Sequence, residues 1–170
     1  MRYIVFLFMA SAAFAWTVPG WERVFDTTHG VCGDTTWNNE TPTGSADLKS
    51  CYVLLAKLNS TRRENGFELT GWKKGEDDYR YLAQGNDCVF EVRLIDHLRD
   101  DQTTPITFAD MTDIVNDAIE KFSVPNEPCF GASRVMDCND GEYSGKVGWR
   151  INGAKEIVGS TDCKKFTDSV

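Results

Sequence analysis

Residues 88–122, CVFEVRLIDHLRDDQTTPITFADMTDIVNDAIEKF, set two periodicities side by side. In the first part Cys88, Phe90, Val92 and Leu94 take one face while Glu91 and Arg93 take the other, the period of two of a strand in a one-sided sheet. In the last part Met111, Ile114, Val115, Ala118 and Phe122 recur at steps of three and four, the buried stripe of a helix. Thr107 is placed to cap that helix with its hydroxyl, and Asp110, three residues on, completes an acidic variant of the capping box. Pro125 prevents the helix from continuing, and Asp96 to Pro105 reads as a polar loop between the two elements.

The same patterns extend outward from this stretch. Upstream, a first helix is expected from Ser45, as N-cap, through Asn59, with Leu48, Cys51, Leu55 and Leu58 on its apolar side. Asn65-Gly66 reads as a break, Phe67 to Trp72 alternates as a half-buried strand, Lys73 to Asp78 is a charged turn, and Tyr79 to Ala83 is a short strand. Downstream, Gly131 to Cys138 and Lys146 to Ile151 flank the turn Asn139-Asp140-Gly141 and read as a hairpin. Residues 16–30 form an extended arm without sustained period, and residues 152–170 a polar tail tied by Cys163. Helix, strands, helix, strands is an α+β order: a compact two-layer sandwich of two helices on an antiparallel sheet, within one domain over residues 31–151.

Arg2, the apolar run Tyr3 to Met9 and the small-residue end Ala13-Phe14-Ala15 have the layout of a cleaved export signal over residues 1–15. The apolar run is far shorter than the ~20 residues that span a bilayer. The expected destination is therefore extracellular, with no membrane span. Six cysteines, Cys32, Cys51, Cys88, Cys129, Cys138 and Cys163, then read as three disulfides, although six allow about 15 pairings. A zinc site is disfavoured because no Cys-x-x-Cys pair exists and His29 and His97 stand far apart. With 26 acidic against 18 basic residues the chain carries a net charge of -8, which argues against nucleic acid and anionic membranes as partners.

No catalytic or cofactor-binding constellation emerges. There is no Gly-x-Ser-x-Gly, a cysteine nucleophile would strand an odd thiol, and a carboxylate pair chosen from so many acids carries no information. Asp137, Asn139 and Gly141 suggest a calcium loop, but Glu142 stands where the glycine is required and Gly148 where the final Glu is required. Two triplets are N-glycosylation acceptors, Asn59-Ser60-Thr61 and Asn39-Glu40-Thr41, the first favoured because Pro42 follows the second. Trp16, Trp21, Trp37, Trp72 and Trp149 could stack on sugars, but the last three sit beside expected strands and read as core.

The blocks Cys32-Gly33-Asp34-Thr35-Thr36-Trp37, Asp47-Leu48-Lys49-Ser50-Cys51, Gly71-Trp72, Leu82-Ala83-Gln84-Gly85, Cys88-Val89-Phe90, Asp113 to Ile119, Gly131-Ala132, Cys138 and Val147-Gly148-Trp149 together resemble the fungal necrosis-inducing effector domain. The resemblance implies a small secreted fungal virulence factor, non-enzymatic, acting on a host extracellular or cell-surface component and able to provoke cell death. It also implies kinship with a virally encoded fungal killer toxin of α/β-sandwich fold that acts on calcium transport through a basic site. The acidity of this chain opposes that mechanism, although Lys73 and Lys74 sit on a turn that could display such a site. A further alternative is a wall-polysaccharide module binding chitin. Cys32, Cys51, Cys88 and Cys138 match the family framework, which leaves Cys129 and Cys163 as an expected added bridge.

Overall fold

The computed structural model describes residues 20–27, 29–33, 35–40, 46–73, 75–95, 102–124 and 127–154, and for residues 20–22 the backbone alone. In chain order the elements are β1 (Gly20–Val24), β2 (Asn38–Asn39), β3 (Ala46–Asp47), α1 (Leu48–Asn59), β4 (Asn65–Leu69), β5 (Arg80–Gly85), β6 (Cys88–Ile95), β7 (Thr104–Thr107), α2 (Phe108–Phe122), β8 (Cys129–Phe130), β9 (Ala132–Asn139) and β10 (Ser144–Gly153). The fold is α+β, with two helices and antiparallel strands stabilised by disulfides. The strands divide among three sheets, ordered β2-β9-β10-β6-β5, β1-β4-β7 and β3-β8.

β6 lies inside the largest sheet, paired with β10 from Cys88↔Gly153 to Ile95↔Lys146. Its Phe90, Val92 and Leu94, with Val147, Trp149 and Ile151 of β10 and Met136 of β9, belong to the buried core. Burying a side chain of that size stabilises the fold by roughly 1.5–3 kcal/mol. The Phe90 and Trp149 rings stack at 6.3 Å. The expectation of a one-sided strand needs correction, because Val89 and Glu91 on the opposite face are also buried. Long side chains supply the cover: Arg93 and Arg150 both lie over the Tyr79 ring, and Arg150 Nε donates to the Glu91 carboxylate. β9 and β10 form the expected hairpin, with Asn139 opposite Ser144. At its turn the Asp140 carboxylate accepts from the N–H groups of Glu142 and Tyr143, and Gly141 supplies a φ of 92°.

α2 has the capping box read from Thr107 and Asp110, with both reciprocal bonds present. Its buried face adds Ile119, while Phe122 is half-buried. α1 differs in detail. Its N-cap is Asp47, whose carboxylate accepts from Ser50 N–H, whereas Ser45 lies outside the described residues. Its buried residues are Ser50, Cys51, Leu54 and Leu58, so Leu48 and Leu55 flank the stripe. The cause is visible at Gly85, where a Cβ would come within 2.2 Å of the Leu54 backbone nitrogen. α1 lies directly on the end of β5, and the Cys51–Cys88 disulfide fastens it to the start of β6.

Four further differences separate the structure from the sequence reading. Asn65-Gly66 is part of β4, because a Cβ at Gly66 would meet the Ile106 carbonyl of β7 at 2.1 Å and only glycine permits that approach. The strand stops at Leu69, after which Gly71 turns with a φ of 81°. Thr104 and Pro105 are the start of buried β7 and not loop, since an edge strand tolerates the missing N–H of proline. The arm is strand over Gly20–Val24, in register with β4 from Gly20↔Leu69 to Val24↔Asn65.

Candidate functional site

Beyond β1 the chain crosses the start of α2 as the segment 29–33, and Asp110 decides where. Asp110 Oδ1 accepts from Cys32 N–H (2.9 Å), and Oδ2 accepts from the N–H groups of Val31 (3.2 Å) and Thr107 (2.7 Å) and from the Thr107 hydroxyl (2.7 Å). Burial pushes this carboxyl above its ordinary value, outweighing the donors that favour its ionised form. On the segment's other edge Gly33 N–H donates to Asp137 O and Asn139 N–H donates to Val31 O. The Cys32–Cys138 disulfide fixes the same crossing covalently. Gly30 must be glycine here, since a Cβ would fall 2.1 Å from Asp110 Oδ1.

A groove lies on each side of this segment. The first, of about 540 Å³, contains Arg23, Phe25 and Asp140. Its one cation is fully engaged: the Arg23 guanidinium bonds Glu68 (2.6 Å), Asp140 (3.3 Å) and Glu142 (3.2 Å), and lies over the Phe25 and Tyr143 rings, while Asp26 on the same lining is exposed. It clamps β1 to β4 and to the β9–β10 turn.

The second groove, of about 560 Å³, runs between α2 and residues 30–33 and 35–37 and has Trp37, Asp113, Asp117 and Lys121 on its lining. Trp37 is held edge-on by Trp149 (5.2 Å) and Phe122 (6.3 Å), with the Lys121 ammonium 5.4 Å over its ring. Some polar groups here are engaged within the fold. Asp110 is saturated as described, Asp113 accepts from Arg63 (2.9 Å), and Thr35 Oγ1 accepts from the Trp149 indole (3.3 Å). Others are open. Among the described residues the Trp37 indole N–H and the Asp117 carboxylate have no hydrogen-bond or ion-pair partner, and the Lys121 ammonium contacts only the Trp37 ring. This groove therefore offers donors, an acceptor and an aromatic ring to a ligand.

The residues singled out from the sequence are scattered. Lys73 is exposed but lines neither groove, and Lys74 lies outside the described residues. Lys73 N–H and Arg80 both bond Glu76, holding its carboxyl below the ordinary value, with the backbone bond the larger cause. Asn59 is exposed at the end of α1, and Asn39 is exposed on β2, although Thr41 of its triplet is not described. Trp72 and Trp149 are 1% and 0% exposed, each with its indole N–H bonded inside the fold, so both are core. Trp16, the Trp21 side chain and His97 are not described. Cys129 is disulfide-bonded and stands beside the α1 cap through Asp47↔Cys129, while Cys163, its expected partner, is outside the described residues. Sequence reasoning missed the groove; the one available signal was Asp113, Asp117 and Lys121 at steps of four on the polar side of α2.

The model of the Hce2 family, described as pathogen effectors and candidate necrosis-inducing factors, matches residues 31–138. That span contains both described disulfides, Trp37 and all of α2. Over 120 residues the chain is 29% identical to the probable chitinase LysM18 of Penicillium expansum, a match covering 71% of this chain and 8% of that relative. Among the described residues, no helix is long and apolar enough to cross a membrane.

Proposed function

The chain belongs to the Hce2 family of pathogen effectors, and from that premise we propose that it is an exported fungal effector that acts in the host extracellular space by binding, not by catalysis. The observation that carries this reading is the division of polar groups around α2. The buried carboxylate, Asp110, is fully occupied in holding the segment 29–33, and Asp113 is paired with Arg63. Both are committed to holding the fold, which favours a binding role over one as acid or base. The groups left open form a binding face. The disulfides support work outside the cell, because such bonds persist in oxidising compartments.

Infiltration of purified oxidised protein into a panel of plant lines tests the reading. Necrosis is expected in at least one genotype, and uniform silence across a broad panel would overturn it. The similarity to a probable chitinase of Penicillium expansum favours a second reading, in which the domain works in a polysaccharide setting. Because the chain spans only 8% of that relative, the chitinase activity named there is not carried over.

A further inference from the structure

We propose that the groove between α2 and residues 30–33 and 35–37 binds a neutral oligosaccharide; this rests on the binding-face reading above and names its ligand class. The volume, about 560 Å³, lies within the ~300–1,000 Å³ typical of ligand clefts. Its open groups have the mixed character that hydroxyl-rich ligands need. Asp117 accepts, while Lys121 and the Trp37 indole N–H donate. The open charges, Asp117 and Lys121, are one of each sign without being paired, Asp113 is bonded to Arg63, and Asp110 is sealed by four donors. A polyanion would meet a chain of net charge -8 and gain no basic cluster. A cation would meet Lys121, of like sign, on the same lining.

The geometry suits a chain ligand better than a single ring. Asp113, Asp117 and Lys121 succeed one another at steps of four, so the row extends about 12 Å along the helix axis. On the facing wall Gly30 and Gly33 carry no side chains to narrow the groove. Trp37 is fixed in advance by Trp149 and Phe122, so its ring costs little further ordering on binding. Lys121 over that ring marks a face on which the C–H side of a pyranose would stack, displacing an exposed ammonium.

The test uses the oxidised full chain, titrated with chitohexaose, cellohexaose and a polygalacturonate oligomer by calorimetry and tryptophan fluorescence. Saturable binding of at least one neutral oligomer is expected, with none to polygalacturonate. Asp117→Ala and Trp37→Phe, the second keeping a ring but losing the N–H, should each weaken it by tenfold or more without a matching loss of melting temperature. No binding of either neutral oligomer, or binding unchanged in both variants, overturns the proposal. Necrosis in plant tissue without sugar binding would remove this inference and leave the effector reading standing. Sugar binding without any necrosis would do the reverse.

Discussion

Removing either described disulfide should destabilise the fold by an amount set by the length of chain that it closes. Cys32–Cys138 spans a sequence separation of 106 and Cys51–Cys88 one of 37. The loop-closure entropy for these lengths corresponds to about 4.8 and about 3.8 kcal/mol at 25 °C. Together they are comparable with the entire ~5–15 kcal/mol by which a domain is stable. Cys51 and Cys88 are both 0% exposed, so alanine at these positions also leaves unfilled core and adds to the loss. At roughly 2–4 °C per kcal/mol for a chain of this size, Cys51→Ala/Cys88→Ala should lower the melting temperature by about 8–15 °C or more. Cys32→Ala/Cys138→Ala should lower it at least as far on the entropic account. Urea unfolding followed by tryptophan fluorescence reads this directly, because Trp72 and Trp149 pass from the core to water. If a variant lacking both bridges unfolds at the wild-type urea midpoint, the view that these bridges hold the fold together is wrong.

Three other outcomes are expected. Gly85→Ala places a Cβ against the Leu54 backbone and should cost about 1–3 kcal/mol or more, seen as a lower urea midpoint; an unchanged midpoint would mean that α1 does not rest on β5. The raised titration of Asp110 means that the folded state holds this proton more tightly, so its contribution is full in acid and is lost as pH rises through the folded value. Asp110→Asn should therefore flatten the decline of stability with rising pH, and an identical pH profile would refute the assignment. Asn59→Gln should abolish a glycan mass shift in protein secreted from a fungal host, and a wild type of bare polypeptide mass would end that reading.

The legible parts of the fold were those whose determinants are local. Thr107 and Asp110 are three residues apart, β6 carries its own alternation, and Asn139-Asp140-Gly141 sits between the two strands that it joins. The two-residue strands β2, β3 and β8 are too short for any period to show. Gly66 looked like a break because glycine signals both turns and close approaches, and only the position of β7 distinguishes them. Asp110 was legible as a capping residue but not as the acceptor for Val31 and Cys32, which lie 79 and 78 residues away. The candidate groove depends on that long-range clasp, so the approach of Trp37 to Lys121 could not be read from spacing on the helix.

An open surface beside α2, and not a reaction centre, is the proposed source of the biological effect. This is tested most directly by infiltrating Asp117→Lys beside wild type at matched doses of oxidised protein, after showing that the two melt at the same temperature. Cell death is expected from wild type, with a marked loss of it in the variant. Equal potency of the two proteins at every dose would contradict it.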